Sequence, residues 1–165
     1  MSQRRHILTI CLVITLGLSA CSQPPRNNVL PASTVVPPVQ QGSLDDAQRV
    51  AADFLNAWKL GGYDAMYGML ALNSRDAFTR QDFEKFYTDA ERTMTLLPDG
   101  KSYALTNAIQ QNDTADIAYD MTFNTKLVGP FTDSGRMLHL INAPEGWRIA
   151  WSQADIFPEM KDVSL

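Results

Sequence analysis

A chain of 165 residues has the length of one ordinary domain with room for a proper core. Its apolar share of 45% and its modest formal charge of −4 are those of a globular protein rather than a disordered one. An acidic chain without clusters of Lys or Arg lacks the basic patches that phosphates demand, which argues against nucleic acid as a partner.

Residues 1–20 read as a lipoprotein signal peptide. A short basic start, "MSQRRH", precedes the uncharged run "ILTICLVITLGLSA". That run is shorter than the roughly 20 residues a spanning helix needs and has the length of a signal-peptide core. It stops at Leu18-Ser19-Ala20-Cys21. Ordinary secretory cleavage wants small residues at both −3 and −1, and Leu18 fits that badly. The four residues instead resemble the bacterial lipobox. The resemblance implies cleavage between Ala20 and Cys21 and acylation of Cys21, palmitate included. It also implies export to the outer face of the cytoplasmic membrane, or to an outer membrane where one exists. A plain signal or a short membrane anchor is the alternative. Loss of Arg4 and Arg5 with the leader makes the remaining chain two charges more acidic.

The other Cys, Cys11, lies inside the leader, so Cys21 is the single thiol of the mature chain. One Cys permits no internal disulfide and is better explained as a lipid attachment point than as a nucleophile. The sequence has no Cys/His metal spacing, and neither metal nor cofactor is expected. Residues 21–42 carry Pro24, Pro25, Pro31, Pro37 and Pro38 among Gln, Asn, Ser and Thr, without periodicity. They read as a flexible tether. The folded domain is expected at 43–160, with 161–165 as a tail.

"SLDD" offers Ser43 as N-cap with Asp46 three residues on, a capping-box-like start. Ala47, Val50, Ala51, Phe54, Leu55 and Trp58 follow the i, i+3, i+4 rhythm of an amphipathic helix, which Gly61-Gly62 ends. A second, short helix is predicted in "YDAMYGMLAL", broken by Asn73-Ser74. Thr79 caps a third in "RQDFEKFYTDAERTM", with Phe83, Phe86, Tyr87 and Ala90 on one stripe. Pro98-Asp99-Gly100 reads as a turn.

After that turn the period changes to two. "SYALTNAIQ" places Tyr103, Leu105 and Ile109 on one face. "TADIAYDMTFN" alternates Ala115, Ile117, Tyr119, Met121 and Phe123 with polar residues, the pattern of a strand with one wet face. "LVGPFTDSG" reads as a loop, "RMLHLIN" as a third strand, "APEG" as a tight turn and "WRIAW" as a fourth strand. Three helices followed by an antiparallel meander specify an α+β fold, helices packed on one side of a curved four-stranded sheet.

That order resembles the nuclear transport factor 2-like (cystatin-like) cone. "AADFLNAWKLGGYDAMYGML" resembles the opening of that domain. "GWRIAWSQADIFPEM" resembles the closing segment of one branch, the N-terminal domain of penicillin-binding protein transpeptidases of the methicillin-resistance type. The resemblance covers residues 44–160. It implies a spacer and interaction module with no catalytic residue of its own, linked to peptidoglycan synthesis and to the antibiotic response. Transpeptidases of this kind carry S-x-x-K, S-x-N and K-T-G motifs, and none occurs in this sequence. The reading is therefore an accessory domain without the enzyme, not itself catalytic, held to a membrane by lipid and partnered by cell-wall synthesis proteins.

Two other readings stand beside it. A cone can bind a small molecule, and other members of this fold are isomerases and dehydratases that use carboxylates, His and Tyr. Candidate pocket residues are Tyr119, Asp120 and His139, the last the single His after the leader. A strand-borne His is more commonly a packed or edge residue than a base. Asp116 and Asp120, on one face of a strand, read as a solvated face. Trp58, Trp147 and Trp151 read as packing residues.

Overall fold

The computed structural model describes residues 42–155. Ala20, Cys21, nearly all of the tether and the Ile156-Phe157-Pro158 turn lie outside them. The first helix, α1 (Leu44–Lys59), begins at the capping box its sequence announces. Ser43 Oγ accepts from the Asp46 N–H at 3.1 Å, and the Asp46 carboxylate accepts from Ser43 N–H at 3.4 Å. The bond from Ser43 Oγ, helped by Arg49, holds the Asp46 carboxyl below its ordinary range. Ala47, Ala51, Phe54, Leu55 and Trp58 are buried along one stripe. Gly61, at φ +70°, turns the chain out of the helix.

The next stretch differs from its reading as one short helix. Helix α2 (Tyr63–Gly68) stops because the backbone of Met69–Ala71 is engaged elsewhere. Leu70 forms a parallel bridge with Ile149, through Ile149 N–H to Met69 O at 3.0 Å and Ala71 N–H to Ile149 O at 2.8 Å. Helix α3 (Leu72–Ala77) then contains Asn73 and Ser74, the residues read as a break. Asn73 Oδ1 accepts from Ser74 N–H near the start of α3, where such a polar side chain is favoured. Helix α4 (Arg80–Thr93) is capped by Thr79, whose Oγ1 accepts from Asp82 N–H at 3.1 Å.

The sheet is an antiparallel meander in the order β1 (Leu96–Gln111), β2 (Thr114–Thr125), β3 (Gly129–Ala143), β4 (Gly146–Ile149). A short 3-10 turn, Gln153–Asp155, follows. The strands are longer than their hydrophobic alternation shows. Pro98-Asp99-Gly100, read as a turn, lies within β1 across a break in register between Leu96 and Lys101. A Cβ on Gly100 would stand 2.6 Å from Asn124 O, so only glycine lets this irregular stretch lie against β2. Gly129–Ser134, read as loop, is the first half of β3, and the connection shrinks to Lys126-Leu127-Val128.

Two bulges explain why the alternation fails where it does. In β1 one extra residue between Leu105 and Asn107 swaps the faces. Tyr103 and Leu105 pack on the core as expected, but beyond the bulge Ala108 takes the inward place and Ile109 is exposed. In β3 the register shifts between the partners of Tyr119 and Met121, where Gly135 adopts φ +72°. The inner face of β2 is as read, with Ala115, Ile117, Tyr119, Met121 and Phe123 all buried, in one core with the apolar stripe of α1 and the aromatic residues of α4. The three tryptophans are buried too, and each indole N–H is bonded: Trp58 to Glu91, Trp147 to Ser43 O, Trp151 to Tyr87 Oη.

Candidate functional site

A cleft of about 740 Å³ opens at one end of the domain, within the range of small-ligand sites. Its walls are the C-terminal ends of α1 and α4, the irregular start of β1 and the β2–β3 turn. A single carboxylate organises its floor. Glu91, on α4, accepts from Trp58 Nε1 (α1) at 3.0 Å and from Tyr63 Oη (α2) at 2.9 Å. It also pairs with Lys101 Nζ (β1) at 2.5 Å. The Lys101 side chain is 6% exposed and that of Glu91 18%, so the pair is largely withdrawn from water. The ammonium also lies 5.9 Å from the centre of the Tyr63 ring.

Local sequence places each member. Glu91 follows Phe83 and Tyr87 at four-residue spacing, on the buried stripe of α4. Lys101 pairs across the sheet with buried Phe123 and shares the parity of Tyr103, so its side chain points inward. Tyr63 opens α2 directly after the Gly61-Gly62 turn. Burial, then the negative charge and hydrogen bond of Glu91, push its phenol above the ordinary tyrosine range. A carboxylate holding three donors is positioned by them and has most of its lone pairs engaged.

The residues singled out from sequence lie elsewhere and are not brought together. Tyr119 is buried on the inner face of β2, with the Arg136 guanidinium 5.8 Å from its ring centre. Asp120 points to the outer face, where Oδ1 accepts from the Gly135 N–H at 2.9 Å and pins the bulge of β3. His139 is on that outer face as well, half exposed, with Nδ1 2.7 Å from Asp116 Oδ1. Its cross-strand partner is Asp116, not Asp120. No group of three or more metal-ligating side chains occurs among the described residues. Glu91, Lys101 and Tyr63 were missed. The available signals were a carboxylate on the apolar stripe of one helix and a Lys at an inward parity of the neighbouring strand.

With this architecture in hand, comparison decides the family. The NTF2-like N-terminal transpeptidase domain matches residues 46–164, most of the chain. The chain belongs to that family. No curated protein matches it. Among solved structures, a ketosteroid isomerase-like protein from Erwinia carotovora atroseptica is 15% identical, over 65% of this chain and 90% of its own, with a TM-score of 0.50. A protein from Campylobacter jejuni designated an NTF2-like transpeptidase is 10% identical over 64% and 97%, with a TM-score of 0.44. At such identities the first of these supports the fold alone. Helices against a curled four-stranded antiparallel sheet are thus the architecture of this NTF2-like domain. Its carboxylate network joins α1, α2, α4 and β1.

Proposed function

We propose that this NTF2-like domain is a non-catalytic accessory module of the cell envelope, held by lipid at Cys21 and acting through protein contact with the cell-wall synthesis machinery. Family membership supports the relation to transpeptidases. The observation that carries the non-catalytic reading is the engagement of Glu91 by three donors. The part-buried carboxylate of the cleft serves as a structural tie among four elements. The one His–Asp pair among the described residues stands half exposed on the open sheet face, away from any enclosed space that would exclude water. Lipid at Cys21 and export rest on the leader sequence, and the link to the antibiotic response rests on the family resemblance.

The experiment has two parts. Cells expressing the full chain are labelled with a palmitate analogue, beside Cys21→Ser. Label on the wild type alone, with the variant lost from the membrane fraction, is the expected result. In vivo cross-linking of the wild type should then recover peptidoglycan-synthesis proteins. Equal labelling of the two chains overturns the anchor, and cross-links that omit every such protein overturn the proposed partner.

A further inference from the structure

The cleft is more positive than the chain that builds it. Lys59, Arg92, Lys101 and Lys126 line it against Glu91 and Asp99, in a protein of formal charge −4. Lys101 is neutralised by Glu91, and Arg92 pairs with Asp89 on the exposed face of α4. Lys59 and Lys126 make no ion pair with any described residue. Helix dipoles account for part of this pattern, because Lys59 and Arg92 occupy the last turns of α1 and α4, where cations are favoured. They do not account for Lys126. It sits in the β2–β3 turn, and its backbone N–H donates to Thr95 O at 3.0 Å, fixing that turn against the cleft wall.

A second observation is independent of charge. Three non-glycine residues among those described have positive φ: Thr95 at 54°, Asp99 at 55° and Asn112 at 54°. Asn112 lies in the β1–β2 turn, where Asn tolerates that conformation. The other two both line the cleft, and a β-branched Thr is a genuine outlier there. Thr95 Oγ1 is also buried with no hydrogen-bond partner among the described residues. Strained backbone and an unpaired hydroxyl coincide where the cations gather. Leu60, 79% exposed, and Leu97 add an apolar surface beside them.

We infer that this cleft docks an acidic peptide segment, its carboxylates meeting Lys59 and Lys126 and its apolar atoms lying on Leu60 and Leu97. Lys59 and Lys126 come from different walls of a cleft of about 740 Å³, the end of α1 and the β2–β3 turn, an arrangement that suits carboxylates carried along one chain. A single phosphate would call for donors converging on one point. Because the protein is acidic overall, its long-range field repels polyanions, and binding must come from the local arrangement. The inference gives the accessory module a class of partner, and rests on that reading for its biological setting alone.

The test uses the full chain in neutral detergent, titrated with fluorescein-labelled hexaglutamate and read by anisotropy. Hexaglutamine and inorganic phosphate are the comparison arms. Saturable binding of hexaglutamate and none of hexaglutamine are expected. Affinity should fall at least about tenfold in Lys59→Glu/Lys126→Glu and stay within about twofold in Arg49→Glu/Arg80→Glu, which makes the same charge change outside the cleft. Circular dichroism melts establish that both variants fold. Absence of saturable binding by the wild type overturns the inference, as does an equal loss in the two double variants. Displacement of the peptide by phosphate at equal concentration reassigns the cleft to a single anion and overturns it too. Loss of peptide binding while the cross-links to peptidoglycan-synthesis proteins persist moves the docking surface elsewhere without touching the proposed function.

Discussion

Glu91 accepts from donors on three other elements, so its removal acts in three places at once. Taking away one member of a largely buried pair leaves the other charge uncompensated, which costs far more than the pair contributes. Glu91→Ala should therefore lower stability by about 3 kcal/mol, measured by urea denaturation. The double variant Glu91→Leu/Lys101→Met should recover much of that loss, because no charge is then left buried. A double variant as unstable as the sum of the two single ones would contradict this account. The same site gives a pH dependence. The Tyr63 phenol is raised in the folded protein, so the folded state holds its proton more tightly than the unfolded chain does. Its contribution is fully present below the unfolded value of about 10 and is lost as pH rises beyond it. Tyr103 is shifted the same way, first by burial and then by Asp53. Urea midpoints between pH 9 and pH 11 should fall less steeply in Tyr63→Phe than in the wild type, with Tyr103 supplying part of the slope that remains.

At the scale of elements, bulges and not propensities decided where faces and ends fall. Gly135 holds φ +72° inside β3, and the Asp120 side chain caps its N–H. Gly135→Ala places a Cβ in the left-handed region and should cost roughly 1–2 kcal/mol. Asp120→Ala should lower stability in the same direction by about 1 kcal/mol, while Asp120→Asn, which keeps an acceptor oxygen, should cost less. Thermal melts of the three variants test that order, and an Asp120→Ala protein as stable as wild type would leave the bulge without its anchor. The same elements show what was legible beforehand. The capping residues Ser43 and Thr79, the stripe from Ala47 to Trp58 and the inward series Ala115 to Phe123 were readable because each follows from local periodicity or a local hydrogen bond. Ile109 was misplaced because a bulge inverts parity and leaves no mark in composition. Asn73-Ser74 looked like a break because the backbone that stops α2, at Met69–Ala71, is captured by β4 some eighty residues away. The Glu91–Lys101 tie was hidden for a similar reason. Each charge is odd only on its own element, and the oddness resolves when α4 meets β1.

For the whole domain, the two ends of the described stretch are tied to different parts of one core. At the start, Gly42 and Ser43 are held by Gln110 and by the Trp147 indole, which donates to Ser43 O at 3.0 Å. At the close, the last strand ends at Ile149, and Trp151 leaves the sheet to enter an aromatic group on α4. Its ring centre lies 4.9 Å from Phe83 and 5.1 Å from Phe78. Its N–H donates to Tyr87 Oη at 3.0 Å, and its carbonyl accepts from buried Ser74 Oγ at 2.9 Å. Trp151 therefore joins α3, α4 and the end of β4, and Tyr87 in turn packs edge-on against Trp58 at 5.1 Å. Through Trp58 that contact reaches the Glu91 tie, so the closing segment and the cleft belong to one packed network. Trp151→Ala should lose about 3–5 kcal/mol as a core truncation. If the network is a single cooperative unit, fluorescence of the remaining tryptophans and circular dichroism will lose structure at the same urea concentration, with an unchanged m-value. Separate transitions by the two probes would show that the closing segment stabilises only its own corner.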